Sequence, residues 1–371
     1  MKITCDRQTI VEAVVNVQKA VSTKSCLTAL EGILIKAADD QSVTLCGYDL
    51  ELGIMTHVPA KVEENGNIVL NAKILSDIIR KAPAETITIT SDEKLMVTIK
   101  SGPAVFSIVG IPPEDYPEIP KVTDAEKMMI DCTLLKGMIR QTLFATSETD
   151  AKPINTGTLF ESDETELKLI SVDGYRLAMR KEPIIADKKL SFVVPGKTLS
   201  EILKLIPDAD DTNMEILIGK KHIIFHIENY HVISRLLEGD FLDYKAAIPS
   251  MHTTEIVVNV KNMIESIDRV SLVVTDRLKS PIRCLFANNT AKISCITTIG
   301  KANDETTVTM QGDSLEIGFN NRYLIDALKN TECDEVKIQI NGPLSPMKIV
   351  PLDGNAFVFL VLPVRLKTNE V

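Results

Sequence analysis

The chain has 371 residues, too many for one ordinary core, so two or three domains are expected. It is 44% hydrophobic and 25% charged, as soluble globular proteins are, but it has no Trp and few aromatic residues, so its cores must be aliphatic. A formal net charge of -10 excludes a uniformly basic nucleic-acid binder and leaves room for a local basic surface.

No apolar run is long enough to span a bilayer, and the start "MKITCDRQTI" lacks the apolar core of a signal peptide. The seven scattered cysteines form no C-x-x-C pair. They are expected to be buried thiols in a reducing cytosol, so the protein is expected to be cytoplasmic.

In chain order, the first element is the amphipathic stretch "RQTIVEAVVNVQKAV" from Arg7, with Ile10, Val14, Val17 and Val21 in one helical stripe. An alternating run, "SVTLCGYDLELGI" from Ser42, reads as strand. A second helix follows in "AKILSDIIRKAP" from Ala72, with Leu75, Ile78 and Ile79 on one side. "MVTIKSGPAVFSIVG" from Met96 returns to strand, and the proline-bearing "IPPEDYPEIP" from Ile111 closes the unit.

The same series then recurs. "TLLKGMIRQTLFA" from Thr133 and "VKNMIESIDRVSLV" from Val260 answer the first helix; "GKTLSEILKLIP" from Gly196 and "NRYLIDALKNTE" from Asn321 answer the second. Leu75, Leu199 and Leu324 stand 124 and 125 positions apart, and Asp49 and Asp173 keep the same step. "HIIFHIENYHVISRLL" and "VKIQINGPLSPMKIVPL" supply strands late in the second and third units, and "GDFLDYKAAIP" from Gly239 closes the second. A period this long means three related domains, expected at 1–121, 122–249 and 250–371. Each reads as helix, strands, helix, strands: α+β, with two helices packed on antiparallel sheet.

Basic residues recur in register on the second helix of each unit: Lys73, Lys197 and Arg322, then Arg80, Lys204 and Lys329. Between them stand Asp77, Glu201 and Asp326. Positions i, i+4 and i+7 share a helix face, so each repeat offers basic, acidic, basic residues opposite its leucine stripe. A solvated face with one ion pair explains a single helix. Threefold recurrence instead suits a surface that stays near a phosphate backbone without gripping it.

Catalytic signatures are lacking. "VVPGKTLSE" ends like a phosphate-binding loop, but Ser191 stands where the first glycine is required and Pro195 precedes Gly196. His222 and His226 share a strand face and His231 follows the turn, with no clear carboxylate or Cys cluster beside them. No G-x-S-x-G motif occurs. No metal, cofactor or catalytic residue is therefore expected. "SVDGYRLAMR" from Ser171 reads alone as a hairpin turn at Asp173-Gly174, and "LVLPVRL" as a final strand that Pro363 puts at or beyond a sheet edge.

The three-unit layout, the "DGYRLA" turn, "NNRYLIDALK" and the C-terminal "LPVRL" together resemble the β subunit of bacterial DNA polymerase III, the sliding-clamp family, over the whole chain. The resemblance implies clamp domains in a head-to-tail homodimeric ring, with helices lining a hole for double-stranded DNA bound without sequence specificity. Twelve helices each ~10 Å wide leave a hole ~28 Å across; six leave only ~9 Å, too narrow for a duplex. By the same resemblance, Lys24, Arg140 and Lys152 join Lys73, Arg80, Lys197, Lys204, Arg322 and Lys329 in facing DNA. Phe106 of one subunit meets Leu272 and Val273 of the other.

The resemblance further implies a groove where linear motifs of the replicative polymerase, the clamp loader and other DNA-handling proteins dock. Gly174, Tyr175, Arg176 and Leu177 form one wall, and Val361, Leu362, Pro363, Val364 and Arg365 another. Asn320, Tyr323 and Met347 lie nearby. Many members have Pro and Arg in the second linker where this chain has Leu242 and Ala246. The alternative is a repeated-domain peptide-binding adaptor that never encircles DNA.

Overall fold

The computed structural model describes residues 1–38, 41–149, 151–184, 188–208, 212–275 and 280–366. Its helices are α1 (Arg7–Val17), α2 (Ala72–Arg80), α3 (Cys132–Leu143), α4 (Gly196–Leu205), the single turn α5 (Tyr244–Ala247), α6 (Val260–Ser271) and α7 (Asn321–Lys329). A short polar side chain opens nearly every one. Asp6, Asn71, Asn259 and Asn320 accept a hydrogen bond from a backbone N–H of the first turn at 2.8–3.1 Å. Asp131 takes the Leu134 N–H in the same way at 2.7 Å. Such caps satisfy donors that the helix leaves unpaired. Before α4 the cap place is held by Pro195.

Each repeat is a shorter pattern used twice: strand, helix, three strands. In the first repeat, Lys2–Asp6 and α1 lead to Gly32–Ala37, Ser42–Tyr48 and Leu52–Pro59. Gly66–Asn71 and α2 then lead to Thr86–Ser91, Met96–Ser101 and Ala104–Val109. The α1 stripe of Ile10, Val14 and Val17 is buried as the spacing predicts. Val21, read as its fourth member, is not helical. The Val21 N–H bonds Gln18 O at 3.1 Å, tightening the end into a 3₁₀ turn, and the chain then extends.

The chain condenses into two compact units, residues 1–135 with 200–236 and residues 136–199 with 237–371. These units divide the middle repeat, because its two halves belong to different sheets. In the first unit, an eight-stranded antiparallel sheet joins the Tyr230–Arg235 strand to the Leu52–Pro59 strand. In the second, a nine-stranded sheet joins Arg176–Pro183 to Phe357–Val361. Hydrogen bonding thus runs from repeat to repeat. A five-stranded sheet ending in Ala104–Val109 completes the first unit, and a four-stranded sheet ending in Gly300–Thr307 the second.

Both large sheets are covered on two sides. In the second unit, α6 and α7 pack over one side of the nine-stranded sheet, where Met263, Ile267, Leu324 and Leu328 join the aliphatic core. On its other side, Leu159, Ile170, Val172, Leu177, Tyr244 and Leu360 form a smaller cluster under the 237–248 segment. The first unit carries the equivalent cluster of Leu34, Cys46, Tyr48, Val69 and Tyr116.

Candidate functional site

The Asp173 turn is an Asx-turn. Its Oδ1 accepts the backbone N–H groups of Tyr175 and Arg176 at 2.8 and 2.9 Å. Gly174 has φ +91°, where a side chain would be strained. Arg176 is nearly buried, and two of its guanidinium nitrogens are engaged. Nε donates to Asp173 Oδ2 at 2.9 Å and an Nη to Asp326 Oδ2 at 2.5 Å. The same group lies 4.6 Å above the centroid of the Tyr323 ring. Arg176 therefore acts as a positioning residue. It ties the turn to α7 and holds the Tyr323 ring, on which Tyr175 stacks at 5.8 Å. Burial, followed by the charge of Asp173, raises the Tyr323 hydroxyl pKa and keeps it protonated. Tyr175 is 61% exposed, an aromatic plate fixed from behind.

The neighbouring residues divide between the two sides of the nine-stranded sheet. Leu177 pairs with Leu360 on the side of the smaller cluster, and Arg176 pairs with Val361, which pairs in turn with Met347, on the helix side. Met347 and Val361, read as groove residues, are completely buried in the helix-side core. Leu360, which the sequence reading did not name, lies beside Leu177 in the smaller cluster. Every residue of the "FVFLV" strand is buried, because it is hydrogen-bonded on both edges and covered on both faces. An apolar run of this kind carries no alternation to show which side a residue faces.

Beyond Val361 the chain leaves the sheet but remains attached. The Leu362 N–H donates to Tyr175 O, and the Val364 N–H to Gly318 O, both at 2.8 Å. Pro363, between them, has no donor to lose. Leu362 and Val364 are each 39% exposed, and Arg365 is exposed. Gly318 permits this approach: a Cβ there would lie 2.7 Å from Val364 O and 2.5 Å from Leu366 Cδ2. Gly318→Ala is expected to displace residues 364–366 and release the Val364 amide. Hydrogen exchange at Val364, with a retained thermal midpoint, checks this; unchanged protection would show that the backbone absorbs the methyl group.

The linker forms the other rim. Leu242 is 49% exposed and Ala246 is exposed, while Tyr244 turns inward and its hydroxyl donates to Glu161. Asn320 caps α7 and, with Tyr175, Tyr323 and Asp326, borders a polar cavity of about 630 Å³. The second unit thus presents exposed apolar side chains at Leu242, Leu362 and Val364 and a fixed aromatic plate at Tyr175, with Leu177 and Leu360 in the buried cluster beneath the linker. That combination suits an extended peptide with apolar anchors.

All nine expected DNA-facing cations are exposed: Lys24, Lys73, Arg80, Arg140, Lys152, Lys197, Lys204, Arg322 and Lys329. Several acids beside them are engaged. Glu201 meets Lys204 at 2.7 Å, three residues on rather than four. Asp326 serves Arg176, and Arg140 meets Glu332 at 2.9 Å. Leu272 is 82% exposed, Val273 and Phe106 are half-buried, and Val105 and Val109 project from the edge strand that carries Phe106.

All seven cysteines are free thiols and five are buried. Burial pushes Cys5, Cys46 and Cys284 up to about 12, too high to supply a thiolate nucleophile at neutral pH. No described group of three or more His, Cys, Asp or Glu is arranged to hold a metal ion. No described helix is long and apolar enough to cross a membrane.

Comparison with known proteins covers the whole arrangement. Family models for the DNA polymerase III beta subunit match as its N-terminal domain over residues 1–120, its central domain over 129–243 and its C-terminal domain over 245–365. A beta sliding clamp of Bacillus subtilis is 33% identical, the match covering 98% of this chain and all of that protein. The crystal structure of the DNA polymerase sliding clamp from Bacillus subtilis superposes with a TM-score of 0.95 at 33% identity, over 99% of this chain and all of that one. The DNA polymerase beta subunit of Streptococcus pyogenes gives 0.92 at 26% identity, with the same coverage.

Proposed function

From the premise that this chain belongs to the DNA polymerase III beta subunit family, along its whole length, we infer that it is a sliding clamp. It is a processivity factor of DNA replication and not an enzyme. It works as a homodimeric ring around double-stranded DNA, with a DNA polymerase as its partner.

The finer assignments are our proposal. We divide the chain at residues 121 and 249, in the two linkers, and take the cytoplasm as its place of action. The nine exposed cations face the duplex. The groove of the second unit, with Tyr175, Leu177, Leu242, Leu360, Leu362 and Pro363, takes the linear motifs of polymerase, clamp loader and other DNA-handling proteins. The observation that carries this reading is the junction itself. Exposed apolar side chains at Leu242 and Leu362 and a pre-stacked aromatic plate support it, with the arginine used to hold the plate. Titration of a Gln-x-x-Leu-Phe peptide against the intact dimer tests it, and an absence of saturable binding would overturn it.

Two copies close head to tail through Phe106 on one side and Leu272 and Val273 on the other. The apolar residues on the terminal Ala104–Val109 strand support this, since an exposed hydrophobic edge invites association unless a partner covers it. Burying such groups stabilises closure by roughly 1.5–3 kcal/mol per fully buried side chain. Leu272→Ala with Val273→Ala is expected to shift the protein toward monomer. An unchanged dissociation constant in analytical ultracentrifugation would remove these residues from the interface.

A repeated-domain adaptor that never encircles DNA is not favoured by the family. It would be a monomer in solution, so a measured mass separates the two.

A further inference from the structure

The first unit contains an open cavity of about 840 Å³ on the eight-stranded sheet, for which the clamp reading has no use. It lies on the side away from α1. Gly47 faces α1, where a Cβ would meet Val17 O at 2.3 Å, and its neighbours Cys46 and Tyr48 face the other way. The Pro113–Val122 segment borders the cavity, anchored where the Tyr116 hydroxyl donates to Cys46 O at 3.2 Å.

The repeat relates this place to the groove already described. Cys46, Tyr48, Met55 and Val69 stand 124 positions before Ile170, Val172, Met179 and Val193 of the second unit's cluster. Tyr116 and Tyr244 close the two clusters from their linkers. The scaffold is shared and the polar equipment is not. In the same register, Leu52 stands for Arg176 and Gly53 for Leu177.

Strand register gives the floor a direction. One cross-strand row is apolar: Tyr48, Gly53, Ile233 and Ile224. The next passes from Cys46 and Met55 to two imidazoles, His231 and His226. The third carries Lys36, Thr44 and His57. The His231 ring lies 4.6 Å from that of His226 and 6.0 Å from that of His57. Glu215, 3.3 Å from His226 Nδ1, is shared with Lys127 at 3.0 Å. The covering segment adds exposed Lys121 and two exposed carboxylates, Glu114 and Glu118, while the sheet contributes the exposed Lys36 ammonium. Burial, then the neighbouring imidazoles, lowers the His231 pKa, so that ring offers a neutral N–H donor beside Lys36.

We propose that this cavity is a second peptide site, which takes an extended segment of a partner protein bearing an apolar anchor followed by an acidic side chain. The anchor lies over Ile224, Ile233 and Met55, and the carboxylate meets Lys36 and the imidazoles of His231 and His57. The proposal rests on the groove reading above for its class of occupant, and on the Lys36 ammonium beside imidazole N–H donors for its sequence preference.

The probe is the peptide acetyl-Ala-Leu-Phe-Glu-Asp-amide, with acetyl-Ala-Leu-Phe-Gln-Asn-amide as its neutral control. Each is titrated into the full-length dimer while the imidazole Cε1–H signals of His57 and His231 are followed by NMR. The acidic peptide is expected to shift both signals saturably. The neutral peptide, and the acidic peptide on Lys36→Glu, are expected to bind about tenfold more weakly there, while Lys36→Arg keeps the affinity. Lys36 is exposed, so neither change threatens folding.

Leu242→Glu with Leu362→Glu disables the other groove without touching this one. Retained imidazole shifts in that variant support the second site, even if the wild-type groove itself proves silent. Groove binding without imidazole shifts overturns the second site and leaves the groove reading standing. Silence at both overturns both. Equal affinity for the two peptides overturns the acidic preference.

Discussion

Removing residues 362–371 is expected to weaken binding of a Gln-x-x-Leu-Phe peptide at least tenfold while leaving the dimer intact. Val361, just before the cut, is fully buried, and its strand stays paired with both neighbours, so the nine-stranded sheet keeps its register. What is lost lies at the proposed groove. Leu362 supplies an exposed apolar rim and fixes the Tyr175 carbonyl at 2.8 Å, and Pro363 and Val364 continue that rim. A central interface anchor typically costs ~2 kcal/mol or more when truncated, and ~1.4 kcal/mol is already tenfold in affinity. Isothermal titration measures the peptide and ultracentrifugation the dimer. Wild-type affinity in the truncated protein would exclude the C-terminal segment from the site.

The contrast with Met347 and Val361 shows how far the sequence could be read. The long-range order was legible because leucines and helix-face charges recur at 124–125 residues and Asp49 and Asp173 keep the same step, a spacing that only whole domains produce. Helix positions were legible from stripes such as Ile10, Val14 and Val17, and the Asp and Asn caps would have sharpened their starts. The merging of sheets across repeats was not legible. Nothing local to Leu52–Pro59 or Arg176–Pro183 says that its outer edge will find a strand from the next repeat. That merging makes "FVFLV" a central strand, and a central strand buried on both faces hides which residues point into the groove. Arg176, expected in one wall of the groove, is held beside Tyr323 by Asp173 and Asp326. Its partner Asp326, 150 positions away, was read only as part of a helix-face charge pattern. The sequence put His222 and His226 on one strand face with His231 after the turn; the facing of His226 and His231, and the approach of His57 from another repeat, came from the fold.

The largest expected effect separates enclosure from adhesion. Clamps loaded on nicked circular DNA by a compatible clamp loader are expected to survive a high-salt wash and to leave promptly when the circle is cut. Suppose the six cations that recur on α2, α4 and α7 held DNA as an ordinary groove binder does. Six phosphate contacts would then lose on the order of 10³-fold in affinity between ~50 and ~200 mM salt, on circle and linear DNA alike. The attraction is weak from the start, because Glu201 pairs with Lys204, Asp326 stands between Arg322 and Lys329 on α7, and the chain carries a net charge of -10. A closed ring needs no such attraction to remain on a circle. It leaves only when the ring opens or when an end of the DNA passes through it. The apolar contacts proposed for closure are not screened by salt as exposed charges are, so one wash can remove the adhesion and spare the enclosure. Labelled protein retained on circular and on linearised DNA, at low and at high salt, measures the difference. Equal loss from both forms, with the dimer still intact at that salt, would sink the ring mechanism for this chain.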